Sequence, residues 1–576
     1  MSGKTSASAR LIRLADRYAA FAARWAKPAA GFVSQPEPRS IGLYARGKQM
    51  VAGNILLAGH LAQAPNTFLW DIEADDPAFQ AEAQGFSWLD DLAAVGTPAA
   101  GARAQDWTWG WIARYGSGAG AGWSPDLTGR RIIRWIHHAT LLLNGKDKAE
   151  TTAYYRSLSR QSDYLARRWQ AAAPGLPRFE ALTGLVYAGI SLMGMEKLVP
   201  AAAAALAADC KTEIDREGGL PTRNPEELLE VLTLLTWTAR ALTEASKLVP
   251  AEIVDAITRI APGLRALRHA DGELARFHGG GKGLDGRLDQ ALAASGMRSL
   301  ATPVNAMGFA RMNGRRTSMI VDAAAPPGGQ AVATAHASTA AFELTSGRRA
   351  LIVSCGSGVP FGAAWRQAGR ATQSHSVLAM DKMSSSRFDK RAAFRLSDRA
   401  AVTASRLSAG PIETELYLAH DGWLASHGLI ASRTLTLSAD GRRLTGVEAL
   451  TALTPEARRR FEEMMTTSRL GGAGFAVRFH LHPEVDAALD MGGSAVSMEL
   501  RSGEIWVLRH SGPAKLSLQP SVYLEKGRLK PRPALQIVLS GHARGFETRI
   551  GWTLAKAQDT PLAIRDLESG DPEGQA

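Results

Sequence analysis

Two histidines, His336 and His375, stand among small and polar residues, and each could serve as base, proton donor or metal ligand near neutral pH. Cys355 lies between them. Two imidazoles and a thiolate could hold zinc, although this spacing fits no compact zinc motif. Arg366 and Arg370 can grip a carboxylate or sulfate through two parallel N–H groups, or can simply line a solvated surface. Arg223 and Asn224 follow Gly218-Gly219 in a loop that should open a helix at Pro225, so Asn224 is either a binding residue or that helix's N-cap. Arg178, after Pro174, is a further candidate. Trp107, Trp109, Trp111 and Tyr115 could stack on sugar rings or pack inside a helical core. His480 and His482 alternate on one strand face and, without a third ligand in a fitting pattern, read as structural.

The elements that must position these residues fall into two periods. From about residue 127 to 294, apolar residues recur three and four apart in runs such as 126–144, 149–173, 179–193, 226–248 and 251–270, punctuated by Pro and Gly. Paired helices with short loops suggest a bundle or a helical toroid. From about residue 299 the runs become short and often alternating, with turns such as Asn313-Gly314 and Asp440-Gly441 between them, which predicts an antiparallel β-sandwich. The expected division is a helical domain over 1–298, a β-sandwich over 299–560 and an acidic, unstructured tail over 561–576. Within 1–45, Leu11, Leu14, Tyr18, Phe21 and Trp25 mark an amphipathic leading helix with arginines on its other faces. It either docks on its own domain or lies on a membrane surface.

One block in the second half carries a resemblance. His336-Ala337-Ser338, Phe342-Glu343-Leu344, Gly347-Arg348-Arg349 and Leu351 to Gly356 are followed by Trp365-Arg366 and Arg370 to Ser376. With Gly308 to Met312 upstream and Arg478 to Pro483 downstream, this resembles the heparinase II/III family of polysaccharide lyases. The resemblance implies an incomplete α/α toroid followed by antiparallel β-sheets, in agreement with the two periods. It implies β-elimination at a uronic acid, in which one group stabilises the developing enolate, a Tyr or His removes the C5 proton and another donor protonates the leaving oxygen. On this basis His336, His375 and Arg370 are the catalytic candidates, Arg178, Arg223, Asn224, Arg366, Trp109 and Tyr115 the substrate-binding ones, and His336, His375 and Cys355 a zinc set. The match is partial. The family's Asn-His pair falls near Arg178-Phe179, its catalytic Tyr near Glu227, an upstream His on Thr334 and an acidic ligand on Ser354.

Composition narrows the partners. The 576 residues, 45% hydrophobic, allow real cores, and two cysteines exclude a disulfide framework. A net charge of +12 favours an anionic partner, and residues 301–400 alone carry 13 basic against 5 acidic residues. That concentration reads as the wall of a cleft for an acidic polysaccharide. Charge alone, without a helix-turn-helix, RRM or zinc pattern, does not support nucleic-acid binding. No run is long enough to span a membrane and no signal peptide is recognisable, so a cytoplasmic location is expected, with the cell envelope or periplasm as the family's alternative. The expected function is a lyase-type protein acting on a uronate-containing glycan, or a glycan-binding protein of the same fold without turnover.

Overall fold

A computed structural model describes residues 2–65, 67–74, 76–297, 305–381, 383–389, 394–467 and 471–558. Helices dominate through Ala294 and antiparallel strands follow from Asn305 to Gln558. The 561–576 stretch lies outside the described residues. The chain forms two compact units, and the division is not a single cut at residue 299. One unit comprises Met1–Gly218, Leu229–Ala261 and Leu284–Arg298; the other comprises Gly219–Leu228, Pro262–Gly283 and Ser299–Ala576. The β-unit therefore takes two loops from the helical half of the sequence, and the hydrogen bonds that hold them there build the site described below.

In the helical unit, prolines open Pro77–Gly85, Pro98–Tyr115 and Pro125–His137, where a missing N–H costs nothing. Pro125–His137 packs against Leu176–Ser191 at Gly129 and Gly184, and a Cβ on Gly184 would lie 2.6 Å from the Gly129 Cα. No side chain fits that crossing. Trp88, Trp111 and Trp135 are fully buried around Phe86, and the buried Trp107 meets Trp88 edge-on.

The leading helix, Ser2–Ala22, packs on Lys148–Arg168. It does so through its small-residue face: Ala19, Ala20 and Ala23 are buried, and Asp16 accepts from Arg168 Nε at 2.7 Å. The apolar row points the other way. Leu11, Leu14, Tyr18, Phe21 and Trp25 are all exposed, Tyr18 at 74% and Trp25 at 73%. The helix thus docks on its own domain, through alanines that permit close approach, and leaves its large apolar side chains in solvent.

The β-unit holds a nine-stranded and an eight-stranded antiparallel sheet. The first runs Lys515–Tyr523, Arg532–Ala543, Ala473–Leu481, Arg349–Val353, Phe342–Ser346, Thr317–Asp322, Phe309–Gly314 and Asn305–Ala306, with Leu378–Met380 also pairing to Ala473–Leu481. The second runs Val402–Ala409, Glu413–Trp423, Leu429–Ser438, Arg443–Thr451, Glu547–Gln558, Ile505–Ser511, Ala495–Glu499 and Asp486–Asp490. Leu429–Ser438 alternates buried and half-buried, as a one-sided strand should, whereas Thr317–Asp322 and Phe342–Ser346 are buried throughout. Between the sheets, Trp552 stacks on Phe342 at 6.0 Å and meets Phe479 edge-on at 4.9 Å. Its strand neighbour is Gly446, where a Cβ would lie 2.1 Å from the indole. Arg433 and Glu448 form a buried ion pair, and Arg433 Nη1 donates to the carbonyls of Ala340 and Ser376.

Candidate functional site

The site begins with an acid at the end of an apolar strand. Asp322 closes Thr317–Asp322 and is fully buried. Its Oδ1 accepts from Arg223 Nη2 at 2.5 Å and its Oδ2 from Ser338 Oγ at 2.7 Å, while His278 Nε2 lies 3.4 Å from Oδ2. Arg223 adopts a positive φ of 51° and also donates to the carbonyls of Met307, Gly308 and Ala325, with its guanidinium over the Phe309 ring. This one side chain fastens the 219–228 loop to the sheet. Asn224, next to it, accepts from the N–H groups of Glu226 and Glu227, the N-cap geometry for Pro225–Glu244.

His278 links the acid to the histidine pair. Its Nδ1 accepts the His336 N–H at 3.2 Å, which leaves Nε2 to carry the proton toward Asp322 when the ring is neutral. His336 Nδ1 lies 3.3 Å from His375 Nε2, and His375 Nδ1 lies 3.0 Å from Ser354 Oγ. The Ser354 N–H donates to Glu343 Oε1. Glu343 Oε2 accepts the Arg276 N–H and lies 3.5 Å from His269 Nε2. The result is a buried polar ladder from Asp322 to Glu343, with three rungs supplied by the loop taken from the helical half.

The electrostatics separate acids from imidazoles. Burial alone would raise the Asp322 carboxyl, but Arg223, His278 and Ser338 reverse that and hold it well below the usual carboxylate range. Burial acts likewise on Glu343, which His269 and Arg276 hold at about 2. Burial lowers His278, His336 and His375, and the neighbouring rings add to the effect for the last two; His375 falls to about 3. At neutral pH these rings are therefore neutral. A base whose conjugate acid has a pKa near 3 offers little driving force for removing a carbon-bound proton. His336 is 3% exposed and His375 is 0% exposed.

The remaining candidates fall in other places. Arg370 is buried, and its Nε, Nη1 and Nη2 donate to the carbonyls of Ala335, Phe394 and Val332. Its donors hold the loop around His336 rather than facing solvent. Arg366 lies over the Phe394 ring and reaches the Ala333 carbonyl at 3.4 Å. The Cys355 thiol faces His480 Nδ1 at 3.5 Å and Ser521 Oγ at 3.9 Å instead of the His336–His375 pair, and burial pushes it up to about 11. No group of three His, Cys, Asp or Glu side chains able to hold a metal occurs among the described residues. His480 is fully engaged, with Nε2 donating to the Gln373 carbonyl and Nδ1 accepting from Ser521. Three candidates belong to the helical unit. There Arg178 donates to the Ala172 carbonyl and lies 3.7 Å from Asp209, Trp109 stacks on Tyr154, and Tyr115 packs against Trp70 and Trp111.

Of the sequence candidates, the β-unit brings together Arg223, His336 and His375, and the residues that join them were not singled out. His278 directly precedes the glycine run Gly279-Gly280-Gly281. Asp322 ends the apolar run Met319–Val321, and an acid in that position is the signal that would have found it.

Comparison with known proteins fits this architecture. The profile of the heparinase II/III-like C-terminal family matches residues 297–553. FtsZ-localized protein C of Caulobacter vibrioides is 30% identical over 529 residues, spanning 89% of this chain and 88% of that protein. The chain belongs to the heparinase II/III family. Its fold is that of solved family members: heparinase III superposes with a TM-score of 0.67 at 13% identity, over 91% of this chain and 87% of that one. A mutant of the heparan sulfate lyase HepC from Pedobacter heparinus gives 0.58 at 13% identity, over 97% and 91%. No helix among the described residues is long and apolar enough to cross a membrane.

Proposed function

We propose that this heparinase II/III family member works by binding rather than by β-elimination, as a scaffold recruited to FtsZ. The observation that carries the reading is the closed histidine pair: His336 and His375 contact each other, are held from both sides by protein groups and lie out of solvent. Arg370, the charge expected to meet a uronate, is engaged by three carbonyls. The resemblance places the family's Tyr near Glu227 and its Asn-His pair near Arg178-Phe179, which supports loss of those groups here. A relative named for its place at FtsZ aligns over nearly the whole of both chains, which supports the same setting here. The exposed row Leu11, Leu14, Tyr18, Phe21 and Trp25, flanked by Arg13, Arg17 and Arg24, favours a second contact with an anionic membrane surface on the cytoplasmic side.

The test has two arms. Incubation with uronate-containing glycans, including heparan sulfate, alginate and hyaluronan, should give no rise in near-ultraviolet absorbance, while the protein should pellet with assembled FtsZ. Unsaturated product from any of these glycans would restore the lyase reading, and absence of the protein from the FtsZ pellet would remove the scaffold reading. Retention of an acidic glycan without turnover would favour the glycan-binding form of the same proposal.

A further inference from the structure

The three-residue string Gly-Arg-Arg occurs at three hairpin turns of the β-unit: Gly314-Arg315-Arg316, Gly347-Arg348-Arg349 and Gly441-Arg442-Arg443. Each sits between paired strands, Phe309–Gly314 with Thr317–Asp322, Phe342–Ser346 with Arg349–Val353, and Leu429–Ser438 with Arg443–Thr451. The three turns are tied to one another. The Gly347 N–H donates to the Arg316 carbonyl at 2.7 Å, and Thr317 Oγ1 donates to the Gly441 carbonyl at 2.7 Å. Gly314 and Gly441 touch so closely that a Cβ on Gly441 would lie 2.0 Å from the Gly314 oxygen. Six arginines therefore share one end of the sandwich. Arg315, Arg316, Arg348, Arg442 and Arg443 are exposed and Arg349 is half-buried.

Acidic groups at this end include Asp440, Glu484 and Glu504, the last accepting from Ser346 Oγ and lying 3.0 Å from Lys556 Nζ. Asp440 is held by Ser438 Oγ and the Arg442 N–H, and Glu484 lies 4.0 Å from Arg349 and 3.5 Å from Arg501. Arg315, Arg348 and Arg443 present one exposed guanidinium group from each turn, and like charges held on adjoining turns make a surface that favours an anionic partner. The strand Glu547–Gln558 runs to this same end: Ala555 pairs with Arg443, and the Lys556 N–H donates to the Arg442 carbonyl at 2.8 Å. The sequence after that strand, residues 559–576, carries Asp559, Asp566, Glu568, Asp571 and Glu573 against the single Arg565.

We propose that the three Gly-Arg-Arg turns form a docking surface for an acidic peptide, and that its occupant is the chain's own segment 559–576. Two facts favour this occupant. The segment follows directly on a strand hydrogen-bonded to the third turn, so its effective concentration is high even for a weak contact. Its five carboxylates match guanidinium groups that take carboxylates two-pronged. The acidic segment would then compete with any external polyanion for the turns, and the surface would bind such polymers only when the segment is displaced or neutralised.

The test uses the full chain on heparin-agarose, reading the salt concentration of elution. Neutralising the segment (Asp566→Asn, Glu568→Gln, Asp571→Asn, Glu573→Gln) should move elution to higher salt. A control neutralising Glu456, Glu462 and Glu463, on the helix Pro455–Thr467, should move it less per charge removed. In a background carrying Arg315→Gln, Arg348→Gln and Arg443→Gln, the shift caused by the segment should disappear; these side chains are exposed, and an unchanged melting curve confirms folding. A labelled peptide of sequence 559–576 should bind the segment-neutralised chain and lose that binding in the arginine variants. Equal shifts with and without the three arginines, or peptide binding that survives their replacement, would overturn the proposal.

Discussion

Replacing Asp322 with alanine should loosen the β-unit far more than any surface change. The carboxylate is 0% exposed and its partner Arg223 is 11% exposed, so the pair is shielded from water. Asp322→Ala removes one bond to the guanidinium, one to Ser338 and the charge facing His278. Breaking a buried pair in this way typically costs about 3–5 kcal/mol, because the remaining charge keeps its desolvation without its counter-ion. Arg223 retains its bonds to three carbonyls, which places the expectation near the middle, at about 4 kcal/mol. Hydrogen exchange followed by mass spectrometry reads this directly on peptides covering Thr317–Asp322. Protection there should fall by roughly a thousandfold at neutral pH. A double-mutant cycle with Arg223→Ala should show coupling of about 2 kcal/mol or more. The Asp322 carboxyl is depressed in the folded state, so its contribution is present at all pH values above the unfolded carboxylate value of about 4 and is lost only as the pH falls further. Additive single changes, or protection lowered less than about tenfold, would refute the reading of Asp322 as the anchor of the ladder.

Other outcomes follow from the same geometry. His375 titrates near 3 when folded and near 6.5 when unfolded, so its contribution is full above pH 6.5 and declines as the pH falls toward 3; by pH 5 the loss is about 2 kcal/mol. Urea midpoints for the parent and His375→Asn should therefore converge on acidification, and parallel pH profiles would contradict it. Arg370→Lys cannot reach all three carbonyls and should cost about 2–3 kcal/mol, seen as a lowered melting temperature. Neither Cys210, pushed up to about 12, nor Cys355, at about 11, should react with a thiol reagent at neutral pH until urea is added. Tyr18→Glu with Trp25→Glu should leave the melting temperature unchanged while abolishing flotation with anionic vesicles; flotation that persists would remove the membrane contact from the proposed function.

The basic stretch shows how charge counting goes only part of the way. Residues 301–400 hold the excess of arginines, and the sequence reading placed them along a cleft beside the histidines. Arg311 instead donates to the carbonyls of Ala266 and Arg268, Arg370 to three others, and Arg315, Arg316, Arg348 and Arg349 sit on hairpin turns. Composition reports how many charges a segment carries. Which backbone groups take them up depends on loops distant in sequence.

Local periodicity decided the element types, since a 3.6-residue repeat can bury one face only as a helix and strict alternation only as a strand. It located the helices at Leu176–Ser191 and Ala251–Ala266 to within four residues, ran Pro125–His137 and Ala139–Leu143 together, and left Asn224 open between a binding residue and the N-cap that it proves to be. The block from His336 to Ser376 carried the family. Tertiary structure alone decided what those residues do. His278 and His336 are 58 positions apart, and Arg223 and Asp322 are 99 apart. Only folding could put an acid, a positive-φ arginine loop and three neutral imidazoles into one buried ladder. The leading helix makes the same point in reverse: its amphipathic row was plain in the sequence, but which face met the protein depended on how closely the alanines of that helix could approach Lys148–Arg168.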